Sequence, residues 1–194
     1  MFLLSRPSDA DIRDFLAGQH AARFSYAEVG FTRNAAAPAG FNVDHNRVLL
    51  GHGQPAFAQA TAAIRRWQMF AVARVELCWP TAPIATGAEV AVLARHFGFW
   101  SLNAARVVYT VNESGEVQRF GFAYGTLRDH AESGEERFLV EWDRRDDSVS
   151  YDLFAFSRPQ NPLARIAKPL ARRLQREFAR ESKAAMLRAM SVAS

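Results

Sequence analysis

Seven ionisable side chains, Arg128, Asp129, His130, Glu132, Glu135, Glu136 and Arg137, fall within ten positions of one another. An imidazole beside a carboxylate can exchange protons near neutrality, so His130 with Glu135 or Glu136 has the makings of an acid–base pair. The same residue types ligate zinc or manganese. The competing reading is a solvated hairpin loop in which Gly134 makes the tight turn and the charges stand in water. The solvated loop is the reading favoured, with ligand contact or proton transfer, needing neither a metal nor an organic cofactor, as the alternative.

Arg137 is two places from Glu135 and from Leu139, so the three share a strand face. Tyr124 and Thr126 are placed to oppose it across a hairpin. Inside a cavity a guanidinium would hold a carboxylate or phosphate bidentately; at the surface it would make a cross-strand ion pair of little worth. Glu177 and Glu181 sit on or near an apolar helical stripe, where a carboxylate is costly unless paired or hydrated. Arg106, Arg137 or Arg158 are candidate partners, and a rotated helix would instead carry both acids to water. Other motifs are excluded. Gly51-His52-Gly53 lacks the Lys-Ser/Thr of a phosphate loop, Ser133 is not in a nucleophile elbow, and Cys78 reads as a small hydrophobe.

Period-two patterning supplies the elements that position these groups. Six strands are expected: Ala73–Trp79, Ala88–Arg95, Asn103–Val111, Gln118–Leu127, Glu135–Glu141 and Val149–Phe156. Their short connections, rich in Gly, Asp and Pro, imply antiparallel pairing. In the fourth strand Phe120, Phe122, Tyr124 and Thr126 form a bulky face. Gly121, Ala123 and Gly125 form a bare one that another segment can approach closely. Upstream are a helix after Pro7-Ser8-Asp9, capped by Ser8 or Asp9, a short extended piece between Ser25 and Arg33, a strand at Arg47–Leu50, and a helix whose first turn takes Pro55. The last segment, Asn161–Met190, reads as a long amphipathic helix with a break at Pro169. Ile166, Leu170, Leu174, Phe178 and Ala185 make its stripe, and Glu181 lies near the stripe's centre.

Charge is unevenly spread. Eight Lys or Arg and two acids between Leu163 and Met190 give 8 − 2 = +6, so with a total of +4 the remainder carries 4 − 6 = −2. A near-neutral body argues against a nucleic-acid partner. The basic helical face leaves docking on an anionic membrane or a protein partner as a further reading. No apolar run is long enough for a transmembrane segment and no signal peptide is apparent, so one domain, residues 1–194, in the cytoplasm is the expectation.

The order helix, strand, helix, six strands, long helix, together with GFNVDHNRVLLGHG (Gly40–Gly53), AIRRWQMF (Ala63–Phe70), FAYGTLRDHAESGEERFLVE (Phe122–Glu141) and AFSRP (Ala155–Pro159), resembles the helix-grip (SRPBCC) superfamily of START-like domains, polyketide cyclase-like proteins and birch-pollen-allergen-like proteins. More narrowly, it resembles a bacterial and plant family of unknown function within it. The resemblance implies an α+β helix-grip fold, a curved antiparallel sheet of about seven strands around a long C-terminal helix, and a hydrophobic cavity between them. The expected ligand is a small hydrophobic or lipid-like molecule. Trp67, Tyr109, Phe122, Tyr124, Tyr151 and Phe178 would form the wall and Thr126, Arg137, His130 and Glu181 the polar contacts. A cofactor-independent enzyme of the cyclase or hydrolase type, using His130 with Glu135 or Glu136, is the alternative.

Overall fold

Alternating apolar and polar residues carry the chain through six successive strands from Val75 to Pro159, and a computed structural model shows how they pair. It describes residues 1–96, 98–160 and 168–191, with side chains from 172 onward in the last stretch. The elements are β1 (Phe2–Leu3), α1 (Asp9–Gln19), β2 (Asn42–His52), α2 (Gly53–Arg65), β3 (Val75–Cys78), β4 (Glu89–Arg95), β5 (Trp100–Glu113), β6 (Val117–Thr126), β7 (Glu132–Asp143), β8 (Ser148–Pro159) and α3 (Lys168–Ser191). Two 3-10 turns, Phe31–Asn34 and Gln68–Phe70, punctuate the connections. Seven strands pair antiparallel in the order β2-β8-β7-β6-β5-β4-β3, and β1 adds to the end of β5 that β6 does not reach. With α3 laid across the inner face, this is a helix-grip fold.

The local signals act as their chemistry requires. The Ser8 hydroxyl accepts from the Asp11 N–H at 3.2 Å while the Asp11 carboxylate accepts from the Ser8 N–H at 3.0 Å, a reciprocal capping box at the start of α1. Ser8→Ala should therefore cost about 1 kcal/mol, read as a lower urea midpoint with an unchanged slope. Pro55 lies in the first turn of α2, where a missing N–H costs nothing. Pro169 likewise falls in the first turn of α3 and does not break it; Asn161–Ala167, including Ile166 of the expected stripe, lie outside the described residues, as does the side chain of Leu170.

Three expectations are corrected. The segment Ser25–Arg33 is not a strand; only Phe24 bridges to Leu127, and a 3-10 turn follows. Strand β7 begins at Glu132, so Glu132, Glu135, Glu136 and Gly134 are strand residues and the hairpin turn is confined to the residues before them. The buried stripe of α3 is Ala179, Ser182, Ala185 and Met186 with Phe178 beside it. That phase puts Glu181 at the flank, where its carboxylate accepts from the Ala73 N–H at 3.1 Å.

Aromatic side chains fill the middle of the grip. Phe70 stands between helix and sheet, with ring centroids 5.5 Å from both Phe138 and Phe178 and 6.0 Å from Tyr124. The preceding turn is set by Trp67, which adopts a left-handed conformation (φ 54°) just after the α2 cap, a position usually given to glycine. Burial of the indole offsets that strain: its ring lies 4.7 Å from Phe122 and its N–H donates to the Ala82 carbonyl at 2.9 Å.

Candidate functional site

Strict alternation along β7 sorts the charged cluster onto two faces. Glu132, Glu136 and Phe138 point inward toward α3, whereas Glu135, Arg137 and Leu139 point outward. Residue pairing puts Tyr124 opposite Glu136 and Ala123 opposite Arg137. The expected meeting of Arg137 with Tyr124 across the hairpin therefore does not occur, because the pairing places them on opposite faces. For the same reason no single imidazole can pair with both Glu135 and Glu136.

The outward face is a closed polar clasp. The Glu135 carboxylate is buried and accepts from the Tyr26 hydroxyl (2.7 Å), the Gly30 N–H (2.7 Å), the Thr32 N–H (3.1 Å) and the Thr32 hydroxyl. Thr32 also meets the Tyr109 hydroxyl at 2.8 Å. Arg137 donates to the Thr32 carbonyl (2.9 Å) and to Asp152 (2.7 Å). Burial alone would raise the Asp152 carboxyl, but hydrogen bonds from His45 and Arg137 more than offset it and hold it below its ordinary value. These contacts fasten the segment from Phe24 to Asn34 onto the sheet. Gly125 makes the approach possible: a Cβ there would lie 2.0 Å from the Tyr26 oxygen, which is the use expected of the bare face of β6.

Tyr109 belongs to this outer layer and not to the inner wall. A bulge between Val107 and Tyr109 puts one extra residue in β5, so Val107 faces inward and Tyr109 outward beside Ala123 and Leu139. Thr126 is engaged at the rim, its hydroxyl accepting from the Gly134 N–H (2.9 Å), donating to the Gly134 carbonyl (3.1 Å) and meeting the Ser25 hydroxyl (2.6 Å). His130 sits in the β6–β7 turn, where its Nδ1 accepts from the Glu132 N–H at 3.0 Å. Burial and the amino group of Met1 push its pKa down to about 4, so the ring is neutral at physiological pH.

The inward face brings together Trp67, Phe122, Tyr124, Tyr151 and, at its margin, Phe178. A line of polar groups crosses it. The Tyr151 and Ser182 hydroxyls meet at 2.9 Å, Tyr124 donates to Glu136 at 2.8 Å, and Gln175 donates to Glu132 (2.5 Å) and Ser157 (2.9 Å). Arg172 of α3 pairs with Asp44 beyond them. Glu136 has no basic partner among the described residues, yet it remains partly accessible. Burial drives its pKa up to about 7, the Tyr124 hydrogen bond opposing this and Glu132 and Asp44 adding to it. Glu132 is raised for the same main reason. No group of three or more His, Cys, Asp or Glu placed to hold a metal occurs among the described residues.

A family described as a domain of unknown function (DUF1990) matches residues 25–185. The chain belongs to this family. A UPF0548 protein from Deinococcus radiodurans is 39% identical over 199 residues, covering 97% of this chain and 98% of the relative. One from Dictyostelium discoideum is 34% identical over 208 residues, covering 98% and 96%. Among solved structures, a hypothetical protein from Helicobacter pylori aligns over 87% of this chain and 97% of its own with a TM-score of 0.51 at 13% identity, a likeness of fold alone.

In this DUF1990 chain, Tyr26, Thr32, Gln175 and Ser182 are site neighbours that the sequence did not single out. Tyr26 and Thr32 lie in a stretch expected only as a short extended piece, and no local pattern marks its return to the sheet. Ser182 interrupts an otherwise apolar helical stripe, which is a usable signal for a polar contact facing it.

Proposed function

We propose that the protein binds a small, largely apolar molecule on the inner face of the sheet beneath α3, with a hydroxyl or amine of that molecule directed at the Tyr124–Glu136 pair. One observation carries the reading: a carboxyl among aromatic side chains, hydrogen-bonded by a tyrosine, without a cation among the described residues and still partly accessible. An interior carboxyl without a cation is costly, and a site that receives a polar ligand group accounts for keeping one. Phe70, on a connection and not on the sheet, occupies the space an apolar body would take. The test is a thermal-shift and calorimetric screen of lipids and polyketides against the wild-type chain. A binder should raise the melting temperature and lose about tenfold in affinity in Tyr124→Phe, one polar contact's worth. If no member of the panel binds folded protein, the reading fails.

A second reading, a cofactor-independent enzyme, rests on the same carboxyl and moves the catalytic role from His130 to Glu136. A group with a pKa near 7 can both take and return a proton at neutral pH. Any turnover found for the bound compound should fall about a hundredfold or more in Glu136→Gln and survive His130→Gln.

A further inference from the structure

A second concave surface lies beside Phe70, where the connection after α2 meets one end of the sheet. It is a cleft of about 410 Å³ between the connection that follows α2 and the ends of β3 and β4, within the range of small-molecule sites. Trp67, Phe70, Leu77 and Trp100 supply its apolar lining, and Arg66, Arg74 and Arg95 its positive charge.

The charges around it do not cancel. Glu76, the one acid among the described lining residues, is held by Arg6 at 2.6 Å. From α3, Glu177 lies 3.8 Å from Arg74, and Glu181 caps the Ala73 N–H. Arg66 and Arg95 are exposed and have no carboxylate partner among the described residues; Arg95 only lies over the Trp100 ring at 5.8 Å. Two unpaired guanidinium groups beside an aromatic floor suit the head of an anion whose body is apolar.

Phe70 connects this cleft with the inner face. It lines the cleft and also packs on Tyr124, Phe138 and Phe178. A ligand whose body displaces Phe70 would leave its head among the arginines.

We infer that the molecule bound beneath α3 is an amphiphile with a carboxylate or phosphate head, taken in past Phe70 with the head held by Arg66 and Arg95. The inference rests on the inner-face reading above and adds the ligand's charge and its route.

The experiment is calorimetric titration of the full chain with decanoate, decyl phosphate and 1-decanol, all below micelle formation. Wild type should bind both anions at least about tenfold more tightly than decanol, the margin falling as salt rises. The double variant Arg66→Gln/Arg95→Gln should lose that margin and keep its affinity for decanol. Arg173→Gln, an exposed arginine of α3 outside the cleft, should leave it intact. Equal wild-type affinity for decanol and the anions, or an equal loss in Arg173→Gln, overturns this inference and leaves the inner-face reading standing. No binding of any of the three probes, decanol included, overturns this inference; the inner-face reading is then decided by the wider screen.

Discussion

Glu135→Ala is expected to destabilise the fold by about 3–5 kcal/mol, read as a fall in the urea midpoint. The carboxylate satisfies two backbone N–H groups and two hydroxyls in a buried setting. Its removal strands the Gly30 and Thr32 amides, which have no other hydrogen-bond acceptor among the described residues. Each unsatisfied donor costs about 1–3 kcal/mol, and water entering the small void recovers part of the sum. Glu135→Gln should recover little, since its amide nitrogen would face donors where the carboxylate presents an acceptor. The effect should also be local. With the clasp gone, trypsin should cut at Arg23 and Arg33 well before the sheet unfolds, because the segment's attachment runs through Glu135, Thr126 and Arg137. A loss under about 1 kcal/mol, with no new cleavage there, would mean that the segment is held by its ring contacts, such as Tyr26 on Phe156 at 5.6 Å.

That clasp marks the limit of what the sequence discloses. Period-two alternation specifies a strand and its two faces, which is why all six strands from β3 to β8 and their antiparallel order are legible from Val75 onward. It does not specify which face is inward once a bulge intervenes. The extra residue between Val107 and Tyr109 inverts the phase of β5, and Tyr109 passes from the expected inner wall to the outer layer. The helix presents the rotational form of the same problem. Leu174, Phe178 and Ala185 suggest a stripe centred near Glu181; of these Ala185 is buried, but its buried neighbours are Ala179, Ser182 and Met186. Small residues at the close approach of helix and sheet carry little hydrophobic signal, so the larger side chains at the margin dominate the pattern. The return of Tyr26 and Thr32 to Glu135 is a contact between positions more than a hundred residues apart, and no local periodicity encodes it.

Two adjacent glutamates on one strand thus have unlike surroundings. Glu135 accepts four hydrogen bonds; Glu136 accepts one, from Tyr124, and is partly accessible. The same alternation that separates them also leaves Tyr124 and Glu136 as the polar pair of an aromatic face, so the chemistry of that face is set by one residue's parity.

Glu136 and His130 should make large and opposite contributions to stability as pH changes. Glu136 rises from an ordinary 4.5 to about 7 in the folded chain, because burial disfavours its anion. As pH climbs from 4.5 to 7 the unfolded chain releases this proton while the folded chain retains it, so stability falls by up to about 3 kcal/mol. His130 drops from 6.5 to about 4, because burial and the Met1 amino group disfavour its cation. As pH falls from 6.5 to 4 the unfolded chain gains that proton and the folded chain does not, so stability falls by a similar amount in the other direction. In the wild type the two slopes oppose each other. Glu136→Gln removes the first while its amide oxygen still accepts from Tyr124. Its stability relative to wild type should therefore rise from about zero at pH 4 to about 3 kcal/mol at pH 8. His130→Gln removes the second, and its relative stability should be highest at pH 4 and decline toward pH 7. Urea denaturation of the three proteins across this range reads both differences directly, with every other titrating group cancelling. Should the Glu136→Gln curve run parallel to wild type, Glu136 ionises as freely as an exposed carboxyl, and the inner face loses the perturbed acid on which its proposed role as a site depends.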